Sequence, residues 1–102
     1  MSILDAVLKE EYERCERIKQ MHLEKLQGLP EGYLSRKNIK GKVYYYLQRR
    51  EDGKVVSRYV PSEDVEILQK LIGERRRVQN QIKLCEADQK KIRKAVGSVV
   101  IR

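Results

Sequence analysis

"GKVYYYLQRREDGKVVSRYV", residues 41–60, decides how the rest of the chain is read. β-branched and aromatic residues replace helix formers, and Asp52-Gly53 sits between two runs of strand-like text. A two-residue Asp-Gly loop suits a type I′ turn, because both central residues need positive φ. Working backwards, Lys40-Gly41 punctuates the text a second time. The spacing predicts three antiparallel strands, at about Tyr33–Ile39, Lys42–Glu51 and Lys54–Val60, closed by Pro61.

Side chains alternate across a strand, so the register assigns faces. With two-residue loops, Val43, Tyr45, Leu47, Val56 and Val60 share one apolar face, joined by Leu34. Tyr44, Tyr46, Gln48, Arg50, Ser57 and Tyr59 share the other, joined by Tyr33, Ser35 and Lys37. Arg36, Arg49 and Arg58 fall nominally on the apolar side, where long stems can carry their charges to water. The third strand depends most on loop length, since a change of one residue would reverse its faces.

The flanking text is helical. Residues 2–27 read as a first helix, with Ser2 as cap and Asp5 three residues on. Leu4, Leu8, Cys15, Ile18, His22 and Leu26 lie near a 3.5-residue seam. Gly28 is expected to close the helix in a left-handed conformation, followed by Pro30. Residues 62–97 read as a long helix capped by Ser62, with Gly97 as stop and 98–102 as an apolar tail. Its seam is Leu71, Val78, Ile82, Cys85, Ile92 and Val96, interrupted by Arg75 and Gln89. Such a helix would be roughly 50 Å long, more than the ~23 Å a seven-residue strand spans. Its first half is expected to pack on the sheet and its second half to run antiparallel to the first helix. Ile82 would then lie near His22, and Cys85 within about a turn of Cys15. The expected fold is a single α+β domain over residues 1–102, with the helices paired as a coiled-coil-like stalk.

Lysine and arginine outnumber aspartate and glutamate by 23 to 15, a formal charge of +8. Residues 33–60 hold eight cations (Arg36, Lys37, Lys40, Lys42, Arg49, Arg50, Lys54, Arg58) against Glu51 and Asp52. Nucleic acid is the first class of partner such a balance suggests. Cys15 and Cys85 lack CxxC spacing, and His22 is the only histidine, so neither a metal nor another cofactor is expected. No nucleophile motif or phosphate-cradling glycine loop occurs, and no enzyme activity is expected. The start, "MSILDAVLKEEYERC", has an acid by residue 5 and no apolar run of signal length. No stretch approaches the ~20 apolar residues of a membrane span. A cytoplasmic protein without a membrane partner is expected.

Two readings of the hairpin stand side by side. Tyrosines and edge lysines stabilise ordinary sheets and guard them against aggregation. They also form a surface able to hold phosphates and bases, and a β-ribbon fits the major groove. On the second reading the contacts are Arg36, Lys37, Lys40, Lys42, Tyr44, Tyr46, Gln48, Arg50, Lys54 and Arg58. A further basic cluster, "ERRRVQNQIK" at residues 74–83, places Arg76, Asn80 and Lys83 in one stripe, continued by Lys90 and Lys94.

The text "LPEGYLSRKNIKGKVYYYLQRREDGKVVSRYV", residues 29–60, resembles a family of small uncharacterised bacterial and archaeal proteins. Their pattern runs Leu-Pro-x-Gly-x-Leu, Lys-Gly-Lys-x-Tyr-Tyr-Tyr-Leu, Asp-Gly-Lys-Val and Ser-x-Tyr, followed by a charged coiled-coil-like helix. The hairpin is more distantly similar to the three-stranded sheet at the N-terminus of phage integrases and some transposases. That resemblance implies a DNA-contacting role for Arg36, Lys37, Tyr44, Tyr46, Gln48, Arg50 and Arg58, with DNA ahead of RNA. The long first helix and the lack of a catalytic domain depart from the integrases, so their chemistry does not carry over. Two alternatives remain. One is a small phage or mobile-element protein that binds and modulates or inhibits a nucleic-acid-handling complex, as anti-CRISPR proteins do. The other is a structural coiled-coil homodimer.

Overall fold

A computed structural model describes residues 2–96. Its element order is α1 (Ile3–Gln27), β1 (Tyr33–Ile39), β2 (Lys42–Glu51), β3 (Lys54–Val60) and α2 (Ser62–Val96). This is the expected α+β architecture. The expected stop at Gly97 and the tail at 98–102 lie outside the described residues. No helix among the described residues is long and apolar enough to cross a membrane.

The chain divides into two compact units that share α2. In the unit formed by residues 29–76, the sheet has the order β1-β2-β3, antiparallel throughout. Lys40 and Gly41 (φ 53° and 80°) make the first turn, and Asp52 and Gly53 (51° and 77°) the second. Both pairs have the positive φ of a type I′ turn, whose twist matches that of the strands it joins. These turns set the register Leu34↔Leu47 and Leu47↔Arg58 on one face, Ser35↔Tyr46 and Tyr46↔Tyr59 on the other.

The loop into β1 is held by two devices. Gly32 has φ 110°, a conformation that favours glycine. A Cβ there would run into the carbonyl oxygen of Gln48 and come within 3.2 Å of the Arg49 Cβ. Arg75 on α2 donates to the Leu29 carbonyl at 3.0 Å and pairs with Glu31 at 3.5 Å. Read in sequence as a break in an apolar seam, Arg75 is instead the tie between α2 and this loop.

The cover over the apolar sheet face is thinner than expected. Val60 is buried, and Leu34, Tyr45, Leu47 and Leu68 are half-buried. Val43, Val56, Ile67 and Leu71 stay exposed. Pro30, Leu47, Val60, Ile67, Leu68 and Leu71 line an open groove between the sheet and the start of α2, with Arg58 and Asp64 also on its walls.

In the other unit α1 pairs antiparallel with α2 from Arg77 onward. Ser2 caps α1 as expected, its hydroxyl accepting from the Asp5 amide at 3.1 Å. The C-terminal expectation fails: Gly28 has φ −92°, ψ 0°, which is right-handed. Its amide bonds back to the Lys25 carbonyl at 3.2 Å, so a tightened last turn satisfies the helix end and no left-handed residue is needed. At the start of α2, Ser62 is the first helical residue rather than the cap before it. The Pro61 carbonyl accepts from the Asp64 amide at 3.0 Å.

The core of the helix pair is Cys15, Val78, Ile82, Cys85, Ile92 and Gln89. Leu8, Ile18, His22 and Leu26 flank it half-buried, whereas Leu4, expected on the seam, is 66% exposed. Gln89 is the most buried of these positions, at 2% exposure, although its polarity marked it as a break in the seam. Its amide donates to Glu16 at 2.8 Å and to the Tyr12 carbonyl at 3.3 Å. Its oxygen accepts from the Lys19 ammonium at 3.2 Å, and Lys19 pairs with Glu16 at 3.0 Å. A buried amide with every group satisfied incurs little of the desolvation cost of an unpaired one. One turn further along α2, Arg93 donates to the Tyr12 hydroxyl at 3.1 Å and lies over its ring.

Candidate nucleic-acid interface

Alternation from the observed register puts Tyr33, Ser35, Lys37, Lys42, Tyr44, Tyr46, Gln48, Arg50, Ser57 and Tyr59 on one sheet face. Three tyrosines form its centre. The Tyr59 ring stands 6.0 Å from Tyr46, nearly perpendicular to it, and 6.5 Å from Tyr44. The Tyr46–Tyr59 pair is a favourable edge-to-face arrangement, in which the positive edge of one ring meets the negative face of the other, and the Tyr44–Tyr59 pair is tilted at 56°. The Lys37 ammonium lies 5.0 Å from the Tyr46 ring centroid, a cation–π contact that sets a charge beside the cluster. Gln48 donates to the Ser57 hydroxyl at 3.2 Å, bracing β2 to β3.

The cluster divides the labour among the rings. Tyr44 and Tyr46 are half-buried against their neighbours. Tyr33 and Tyr59 remain 54% and 55% exposed and offer the open aromatic surface. Lys37, Lys42 and Arg50 are exposed around them.

Of the ten residues expected to form the surface, six come together here: Lys37, Lys42, Tyr44, Tyr46, Gln48 and Arg50. Lys40 lies in the β1–β2 turn. Arg36, Lys54 and Arg58 belong to the opposite face, and Arg58 lines the apolar groove. Tyr33 and Tyr59 were missing from the expected contacts although the register already placed them on this face. The signal that could have found them is their exposure, which depends on packing that residue type alone does not fix.

In the helix pair the only described contact of a cation with an aromatic ring is that of Arg93 with Tyr12. Burial pushes the Cys15 thiol upward, with Glu11 and the second thiol, Cys85, adding to the effect. Both cysteines are free and buried, the environment of inert core thiols. Among the described residues no group of three His, Cys, Asp or Glu side chains converges in a manner able to hold a metal ion.

Fold and surface together define a small α+β protein with a paired-helix unit and a basic, tyrosine-lined sheet. The chain belongs to the family described as Domain of unknown function (DUF6788), which matches residues 8–70. That span takes in most of α1, the whole sheet and the start of α2. Neither the curated proteins nor the solved structures contain a match to the chain.

Proposed function

We propose that this protein binds nucleic acid, DNA ahead of RNA, through the tyrosine-lined face of its sheet, and that it does so without catalysis. The observation that carries the reading is the exposure of Tyr33 and Tyr59 on one sheet face with Lys37, Lys42 and Arg50 around them. Cations contact phosphates and give affinity without regard to sequence. Exposed aromatic rings stack on bases, and every base offers a π face. Gln48 and Arg50 carry donor groups of the types that read base edges, and a two- or three-stranded ribbon fits a major groove.

The test is fluorescence anisotropy with labelled duplex DNA, single-stranded DNA and RNA at two salt concentrations. The wild type is compared with an Arg50→Ala/Tyr59→Ala variant shown to fold by circular dichroism. Binding that weakens with salt and is lost in the variant is the expected result. Binding that ignores both salt and these residues would overturn the proposal.

A second reading rests on the open groove. Its apolar walls suit a protein partner, such as a component of a nucleic-acid-handling complex. An apolar interface of that kind would be insensitive to salt, unlike phosphate binding.

A further inference from the structure

The positive charge of the chain is gathered in two places, and the sheet is only one of them. From Arg76 to Val96, α2 carries seven cations (Arg76, Arg77, Lys83, Lys90, Lys91, Arg93, Lys94) and two acids, Glu86 and Asp88. By contrast, α1 mixes both signs: Asp5, Glu10, Glu11, Glu13, Glu16 and Glu24 offset its five cations.

The pairing of the helices sorts these charges by direction. Val78, Ile82, Cys85, Gln89 and Ile92 turn inward as the buried seam. Residues three and four apart share a helix face. Arg76, Asn80, Lys83, Ala87, Lys90 and Lys94 therefore form one stripe opposite the seam, with Lys91 beside it, and all seven are exposed. Glu86 lies on one edge of the stripe, three residues after Lys83 and four before Lys90, and Asp88 lies on the other flank, three residues before Lys91. Among the described residues, no ion pair within 4 Å engages Lys83, Lys90, Lys91 or Lys94. A solvated face on a long helix ordinarily alternates charge and holds i, i+4 pairs, as Lys70 and Glu66 do earlier in α2. The centre line of this face has one sign, and Glu86 at its edge pairs with neither Lys83 nor Lys90 within 4 Å.

We propose that the outward face of α2, built on Lys83, Lys90 and Lys94, is a second nucleic-acid contact surface that binds the phosphate backbone without reading sequence. The inference rests on the reading of the sheet as a nucleic-acid surface and extends it to a different element. From Lys83 to Lys94 a helix rises about 16 Å, the length of roughly five duplex base pairs at ~3.4 Å each. The stripe holds no aromatic ring and only one amide, Asn80, so it supplies charge and little else. Its lysines lie beyond the residues matched by the family, which places this surface outside the part of the chain shared as that domain.

The experiment measures duplex DNA binding against salt for four full-length proteins. They are the wild type, Lys83→Gln/Lys90→Gln/Lys94→Gln, the same three positions changed to Arg, and Arg50→Ala/Tyr59→Ala. Glutamine and arginine are good helix formers, so the helix persists in both triple variants, and circular dichroism checks it. Each phosphate contact contributes about 0.9 to the log–log salt slope. The Gln variant should lose up to ~2.7 of slope, so that its affinity falls about 40-fold less than that of the wild type between roughly 50 and 200 mM salt. The Arg variant should retain the wild-type slope, and the loss should be the same on unrelated sequences. A Gln variant with wild-type affinity and slope overturns the helix surface, whatever the sheet variant does. A sheet variant that binds normally while the Gln variant fails overturns the sheet reading and leaves the helix as the binding surface. Absence of any binding by the wild type overturns both.

Discussion

The rings of Tyr46 and Tyr59 meet across β2 and β3 at 6.0 Å and 70°, an edge-to-face pair at the centre of the open sheet face. Tyr59 also meets Tyr44, in a tilted arrangement at 6.5 Å and 56°. Edge-to-face pairs contribute about 0.5–1.5 kcal/mol beyond the area they bury. Tyr59→Ala is expected to cost about 1–2 kcal/mol of stability, and Tyr59→Phe to restore most of it. Urea denaturation of the two variants measures this.

Gln89 registers the helix pair. Replacement by Ala strips Glu16, Lys19 and the Tyr12 carbonyl of a shared partner and leaves a void at a buried position of the seam. Lys19 and Glu16 keep some contact with water, so the loss is moderated. A destabilisation of about 1–3 kcal/mol is expected, read as a lower urea midpoint at unchanged m-value.

The same network gives an acid transition with a defined sign. Hydrogen bonds from Gln89, then Gln20 and Lys19, hold the Glu16 carboxyl down to about 2, from a usual 4.5. A group lowered in the folded state stabilises above its unfolded value and loses that contribution as pH falls through the folded value. The contribution of Glu16 is therefore complete above about pH 5 and disappears between pH 4.5 and about 2. Glu16→Gln should reduce stability at neutral pH and flatten its decline over that window, measured by urea denaturation at a series of pH values.

Gly32→Ala should be among the most damaging small substitutions. It forces a left-handed conformation on a residue with a Cβ and drives that atom into the Gln48 carbonyl. Strain and overpacking together are expected to cost about 2–4 kcal/mol, seen as a fall in thermal midpoint. Gly53, with nothing within 4 Å of a Cβ, faces only the conformational part of that cost.

Local chemistry explains which features were legible in the sequence. Asp52-Gly53 and Lys40-Gly41 specify their turns through backbone preference alone, and two-residue turns set the register of all three strands. The faces of the sheet followed directly. Long-range partners were the source of the misreadings. Gln89 and Arg75 broke an apolar pattern because their satisfaction depends on Tyr12, Glu16 and Lys19 in one case and on Leu29 and Glu31 in the other. Gly28 closed its helix through a tightened turn, an outcome that glycine permits as readily as the left-handed one. Val43 and Val56 share a face with Val60 but remain exposed, toward the two ends of that face, while the groove beside α2 is lined by Leu47, Arg58 and Val60 between them.

The central claim concerns one face of the sheet, and the two faces can be set against each other. Lys42 and Arg50 lie on the tyrosine face and Arg58 on the groove face, so cations can be removed from either face of the same sheet. The measurement is duplex DNA affinity against salt for the wild type, Lys42→Gln/Arg50→Gln and Arg58→Gln. The account predicts that the double variant binds more weakly, with its log–log salt slope reduced by about 1.8, while Arg58→Gln keeps the wild-type slope. Equal losses from both faces, or a double variant indistinguishable from the wild type, would contradict it.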